Sequence, residues 1–162
     1  MKTIFMMIGH TGSGKSTFAQ KMAVVEHAFH INVDTIFKRL YSKGLSLTVA
    51  SNMYERYKNS IILICENVIL EENFISKEKR QFVINEIKTN YSDSKIIAVY
   101  MDTSIDESIE RSFKRDKIDP DLLDVYKSNY KSTLDIPTID EGFSEIWTVK
   151  ENRYVTKMTL QT

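Results

Sequence analysis

Lys15 and Ser16 follow a glycine at the end of the run IFMMIGHTGSGKST, which extends from Ile4 to Thr17. Gly9, four intervening residues and then Gly14-Lys15-Ser16 complete a G-x-x-x-x-G-K-[ST] pattern, whose residue types can together hold a polyphosphate. Gly9, Gly12 and Gly14 let the backbone take positive φ and come close to phosphate oxygens, so that successive N–H groups converge on them. Lys15 supplies a mobile ammonium between the terminal two phosphates, and the Ser16 hydroxyl can complete a Mg²⁺ shell. Thr17 is a reserve hydroxyl. The expected nucleotide contacts are therefore Gly9, Thr11, Gly12, Ser13, Gly14, Lys15, Ser16 and Thr17, with Ser16 as the metal ligand. His10 falls at a variable position and reads as loop filler.

Such a loop needs a strand before it and a helix after it, and both are legible. Lys2 to Ile8 is rich in Ile, Phe and Met, as a strand buried on both faces should be. Phe18, Ala19, Met22 and Val25 then recur at helical spacing, which puts the loop at a helix N-terminus whose dipole favours an anion. Ala28 to Asn32 reads as a second strand, and Val33-Asp34-Thr35 carries the chain off its end into a helix with Phe37, Leu40 and Tyr41 that stops at Gly44. Asp34 thus sits at the carboxyl edge of the sheet, where open α/β folds bind ligands. Lys38 and Arg39 on this helix either face an acceptor or are solvated.

Thr48 to Cys65 predicts a helix whose Met53, Tyr57, Ile61 and Ile64 keep a 3.6-residue beat. Asn67 to Leu70 is the third strand, and Glu71-Glu72-Asn73 ends it. A carboxylate there can reach a metal's water shell or bind an incoming substrate. Glu72 is the candidate, while Glu71 reads as a solvated strand end. Ser76 opens a helix through Lys88 with Phe82, Val83 and Ile87 on one face, and Ile96 to Met101 is the fourth strand. Ser104 and Glu107 form a capping box for a helix whose Ile105, Ile109 and Phe113 face inward. Arg111 and Arg115 lie one turn apart on it, so both guanidiniums can converge on one anion. Asp119-Pro120 starts a further helix carrying Leu122, Leu123, Tyr126 and Tyr130, and Pro137 closes the helical region. Glu145 to Val149 is the fifth strand, beside which Tyr154 to Leu160 can return as an antiparallel edge.

Composition bounds the function classes. The 162 residues suit one domain over 1–162, and 42% hydrophobic content supplies one core. With 22 basic and 22 acidic residues there is no global positive field for long nucleic acid, so any such contact is local. A single cysteine, Cys65, rules out an internal disulfide framework and reads as a core residue; with three scattered histidines, no zinc spacing exists. The N-terminal apolar run is too short for a signal peptide or membrane span, so a cytoplasmic setting is expected.

The chain resembles the phosphate-loop kinases and, within them, the 5′-hydroxyl polynucleotide kinase family of bacteriophages and bacteria. Four stretches carry the resemblance: IGHTGSGKST, INVDTIFKRL, NVILEENFISKEKR, and IERSFKRDKIDPDLLDVYKSNYKS with the later EGF at Glu141 to Phe143. It implies that Lys15 and Ser16 bind ATP phosphates and Mg²⁺, that Asp34 is the general base, and that Arg115 with Arg111 belongs to a lid over the phosphates. Glu72 stands where the family commonly has an aspartate. Phe37 stands where it often has an arginine, for which Arg39 is the available substitute as a substrate contact.

Residues and resemblance together predict a three-layer α/β fold with a mainly parallel five-stranded sheet of order 2-3-1-4-5. The expected activity is ATP-dependent phosphoryl transfer to a hydroxyl, with a 5′-hydroxyl end of DNA or RNA as first choice. A kinase of nucleotides or other small molecules is the nearest rival, and a non-catalytic nucleotide-binding module is the alternative from another class. An acid at position 34 with two arginines favours a kinase, because a passive binder needs no acceptor base.

Overall fold

Every side chain from Ile4 to Ile8 is buried, which requires cover on both faces of the strand that carries them. In the computed structural model, which describes residues 1–117, 134–150 and 154–159, that strand is β1 (Thr3–Ile8). The others are β2 (Phe29–Asn32), β3 (Asn67–Glu71), β4 (Lys95–Met101), β5 (Glu145–Lys150) and β6 (Tyr154–Thr159). They form a six-stranded sheet of order β2-β3-β1-β4-β5-β6. Strands β1 to β5 pair in parallel and β6 runs antiparallel along β5, so the expected 2-3-1-4-5 order is present and the returning edge makes it a sheet of six.

The helices are α1 (Lys15–Val25), α2 (Val33–Ser42), α3 (Leu47–Ile64), α4 (Lys77–Asn90) and α5 (Ile105–Asp116). Alternation along the strands feeds two cores. Ile4, Met6, Ile8, Val68, Leu70 and Ile96 meet Tyr54 and Ile62 of α3 and Val83, Ile84 and Ile87 of α4. On the opposite face Phe5, Met7, Ile69, Ile97 and Val99 meet Ala19 and Met22 of α1. This is the three-layer arrangement that the sequence predicts. Cys65 is half-buried and packs against the first core. The expected helix beginning at Asp119-Pro120 lies outside the described residues. Among the described residues no helix is long and apolar enough to cross a membrane.

On α3 the inward face differs from the one its apolar beat predicts, and on α4 Val83 and Ile87 face the core as expected while Phe82 does not. On α3, Met53, Tyr57 and Ile64 are exposed and Ile61 is half-buried, whereas Ala50, Tyr54, Lys58 and Ile62 are buried. On α4, Phe82 is 70% exposed, and the buried stripe runs through Arg80, Val83, Ile84 and Ile87. In both cases the inward stripe includes a charged residue whose partners remove the penalty of burial. Lys58 pairs with Glu55 at 2.7 Å, and the Tyr54 hydroxyl donates to Glu72 at 2.6 Å.

Arg80 is the more extreme case, since it and Glu141 are both fully buried. Its Nε donates to Glu141 Oε2 at 2.7 Å and its Nη2 to Oε1 at 2.8 Å, a bidentate pair. Its Nη1 donates to the carbonyls of Phe74, Ile75 and Asp135 at 3.1, 3.0 and 2.9 Å. The Asp135 carboxylate in turn accepts from the Lys77 backbone N–H at 2.9 Å. The segment from 134 to 142 is thereby fastened to the start of α4 and to the loop that follows β3.

Candidate active site

Beyond the buried Ile8 the chain turns through residues 9–14 and enters α1 at Lys15. Gly14 caps α1 in the left-handed region at φ 92°, and the first turn contains no acidic residue, so the free N–H groups and the dipole remain available to an anion. Gly12 has φ 85°, and a Cβ there would lie 2.0 Å from the backbone oxygen of Ser108 on α5. The glycine therefore seats the loop against α5, a reason for its identity that is separate from phosphate approach. Ser13 is fully buried behind the loop, its carbonyl accepting from the Thr103 hydroxyl at 3.2 Å.

The Lys15 ammonium donates to the carbonyls of Gly9 at 2.6 Å and His10 at 2.7 Å. Burial lowers its pKa to about 8, with Glu71 and Asp34 opposing the shift and Arg115 adding to it. His10 is buried, and burial followed by the Lys15 charge holds its imidazole below the usual range. Ser16 Oγ donates to Glu71 Oε1 at 2.5 Å, while Glu71 Oε2 lies 2.8 Å from His30 Nε2. Burial pushes the Glu71 carboxyl up, but hydrogen bonds from His30, Ser16 and Asn32 outweigh it, and the group sits below the ordinary glutamate value.

Two adjoining cavities open on the loop. One, of about 590 Å³, is lined by Thr11, Gly12, Gly14, Lys15, Ser16, Thr17, Asp34, Glu71, Arg111 and Arg115. The other, of about 320 Å³, is lined by Gly9, His10, Thr11, Lys15, Asp34, Glu71, Glu72, Asn73 and Ile75. Thr11, Lys15, Asp34 and Glu71 border both. Asp34 lies in the first turn of α2, but the cap of that helix is Asn32, whose side chain accepts from the Thr35 N–H at 2.8 Å. The Asp34 carboxylate is thus not occupied in capping.

Both arginines expected at the site line the larger cavity, each engaged with an acid of its own helix. Arg111 donates to Glu107, and Arg115 donates to Asp116 at 2.7 and 2.8 Å. The capping of α5 is as expected on one side, with Ser104 Oγ accepting from the Glu107 N–H at 3.2 Å. Arg39 is exposed on the last turn of α2 and lines neither cavity. Phe37 packs on the rings of Tyr41 and Tyr54, at 5.7 and 5.6 Å between centroids. Glu72 lines the smaller cavity.

Glu71 is the residue that sequence reasoning passed over, and His30 came with it. The third strand runs one residue further than its apolar run, and β2 pairs Asn32 with Glu71, which sets that carboxylate beside His30 and the loop. The buried apolar strand directly ahead of it was the available signal. Ser16 and Glu71 offer two hard oxygens in contact, a donor set that suits Mg²⁺, which favours carboxylates, substrate phosphates and water. Among the described residues no group of three or more His, Cys, Asp and Glu is placed to hold a metal.

A family model described as AAA domain matches residues 4–134. No curated protein sequence matches. Among solved structures, a provisionally assigned kinase from Chloroflexus aurantiacus j-10-fl is similar with a TM-score of 0.70 at 20% identity, over 94% of this chain and 86% of that one. A gluconokinase from Sinorhizobium meliloti 1021 is similar with a TM-score of 0.52 at 17% identity, over 92% and 81%. A structure from the PezAT toxin–antitoxin system of Streptococcus pneumoniae is similar with a TM-score of 0.66 at 14% identity, over 100% and 74%. At these identities the likeness is one of fold.

Proposed function

On the premise that the chain belongs to the AAA domain family, a family of phosphate-loop kinases, we propose that it transfers the γ-phosphoryl group of ATP to a hydroxyl acceptor. The observation that carries this reading is the position of Asp34, whose residue borders both the cavity with the phosphate loop and arginines and the cavity on the other side. A base that takes a proton from an acceptor must stand between acceptor and phosphate.

The backbone N–H groups of the loop and Lys15 bind the polyphosphate in the larger cavity. Ser16 and Glu71 would hold Mg²⁺, which would supply charge neutralisation on the phosphate oxygens. His30 fixes the Glu71 carboxylate by its hydrogen bond. Arg111 and Arg115 leave Glu107 and Asp116 to stabilise the charge that spreads over the transferred group. Asp34 takes the hydroxyl proton as the acceptor oxygen bonds to phosphorus and the bond to the ADP oxygen breaks. Residues 1–162 act as one unit in this reading.

For the acceptor, the resemblance favours a 5′-hydroxyl end of DNA or RNA. A small hydroxyl compound is the second reading, favoured by the modest size of the smaller cavity, about 320 Å³. The test is labelled-ATP transfer across oligonucleotides, nucleosides, nucleotides and sugars, run on wild type and Asp34→Asn. The substitution should lower transfer by about 10²–10⁴-fold, the usual range for a positioned base, with ATP affinity retained. Near-normal transfer by Asp34→Asn would remove the base from the mechanism.

A further inference from the structure

We propose that the smaller cavity selects a polyhydroxylated acceptor that is neutral or carries ammonium groups, through Glu72 and Asn73, and turns away acceptors that bear a phosphate or carboxylate. The inference rests on the kinase reading and, within it, takes the small hydroxyl compound rather than the nucleic-acid end as the acceptor.

The cavity wall contributes three carboxylates, those of Asp34, Glu71 and Glu72; with Glu71 taken up by the metal, Asp34 and Glu72 are the two that face an acceptor. Among its described lining residues the charged cation is Lys15, whose ammonium is turned to the Gly9 and His10 carbonyls and is matched by the phosphates of ATP. His10, with its depressed pKa, adds no positive charge at neutral pH. No guanidinium among the described residues borders this cavity. Arg111 and Arg115 border the larger one, Arg39 borders neither, and Phe37 is packed against Tyr54. Among the described residues an anionic acceptor would meet like charge there with no cation of the cavity wall beyond Lys15 to pair with.

Glu72 is held in place by groups behind it. The Tyr54 hydroxyl donates to its Oε1 at 2.6 Å, and Lys58 Nζ stands 3.8 Å from the same oxygen. Burial and then Glu72 itself raise the Tyr54 pKa, so this hydroxyl stays a donor across the working range. Lys58 is 4% exposed and is also bound to Glu55, so the brace is anchored in α3. Both contacts fall on Oε1, which leaves Oε2 for a ligand. A fixed carboxylate oxygen takes hydroxyl or ammonium protons, and the neighbouring Asn73 amide can donate or accept. One hydroxyl of a polyol could then lie at Asp34 while others bind Glu72 and Asn73.

The experiment uses the full chain with ATP and Mg²⁺ and matched acceptors: glucose, glucosamine, gluconate, glucose 6-phosphate and a 5′-hydroxyl oligonucleotide. Transfer is read with labelled ATP, and acceptor binding is read by calorimetry in the presence of a non-hydrolysable ATP analogue. Glucose or glucosamine should bind and react about tenfold or more better than gluconate and glucose 6-phosphate, an effect that weakens with added salt. Glu72→Lys should reverse that order, and Glu72→Gln, which can still accept from Tyr54, should shrink the preference for glucose and glucosamine over gluconate. Tighter binding or faster transfer for the acid, the phosphate or the oligonucleotide overturns the inference and leaves the kinase reading standing. Absence of ATP binding together with absence of transfer to every compound overturns the kinase reading instead.

Discussion

Lys15 should take up a proton when ATP binds above neutral pH. In the free protein its pKa is about 8, lowered chiefly by burial, so the ammonium is about half deprotonated at pH 8 and about nine-tenths deprotonated at pH 9. A polyphosphate beside it favours the charged form and returns the pKa to the ordinary 10.5 or higher. Affinity should then be close to full at pH 7 and fall by about 1 + 10^(pH − 8), roughly twofold at pH 8 and elevenfold at pH 9. Proton uptake per bound nucleotide should be about 0.1 at pH 7 and about 0.8 at pH 8.5. Calorimetry with a non-hydrolysable ATP analogue in two buffers of different ionisation enthalpy measures that number directly. Lys15→Arg keeps a charge that does not titrate in this range, so its uptake should vanish. Binding by wild type without uptake at pH 8.5, or equal uptake by Lys15→Arg, would refute the reasoning. The same shift has a consequence for folding. The charged lysine costs stability below pH 8, and that cost is relieved as pH rises from 8 to 10.5, the window in which only the unfolded chain keeps the proton.

Arg115→Ala should lower kcat far more than it weakens ATP binding, because the guanidinium acts on transition-state charge; weaker binding with unchanged kcat in a titration would make it a nucleotide clamp. Arg80→Met should destabilise by about 3–5 kcal/mol, since Glu141 would be left buried and unpaired. Urea denaturation of Arg80→Met/Glu141→Leu should then show a loss well short of the sum of the single losses, and strict additivity would contradict the clamp. Gly12→Ala should cost more than the roughly 1–3 kcal/mol of left-handed strain, because its Cβ would strike the Ser108 carbonyl; wild-type stability by thermal denaturation would show that α5 does not pack there.

The sheet and the phosphate loop were legible because each rests on local pattern. The unbroken apolar run before Gly9 is too short for a helix and stops at a glycine, which reads as a strand covered on both faces, and the glycines, Lys15 and Ser16 are consecutive or nearly so. What escaped was what depends on partners distant in sequence. Tyr54 and Lys58 belong to the inward face of α3 because Glu72 and Glu55 meet them, and an apolar beat through Met53 and Tyr57 points one residue away from that face. Arg80 reads as a surface charge until Glu141, 61 residues on, is placed beside it. Glu71 and Glu72 are indistinguishable as a pair of acids after a strand. Register separates them: Glu71 pairs with Asn32 and reaches Ser16, while Glu72 reaches Tyr54. Asp34 was legible in position, but that Asn32 would cap the helix and leave it unoccupied required the backbone itself.

The central place of β1 bears on the order in which a ribosome can complete this site. β1 is made first among the strands, yet its neighbours are β3 at 67–71 and β4 at 95–101, and the loop that follows it rests on Ser108 of α5. At about 5–20 residues per second, roughly 5–20 s pass between synthesis of the loop and synthesis of the helix it leans on. Until β3 and then β4 have been made, the apolar run from Ile4 to Ile8 lacks the strands that flank it and is open to whatever holds nascent chains. Nucleotide capture by nascent chains of increasing length should therefore begin only after residue 108 has cleared the exit tunnel, which makes ATP a reporter of when the middle of the sheet closes.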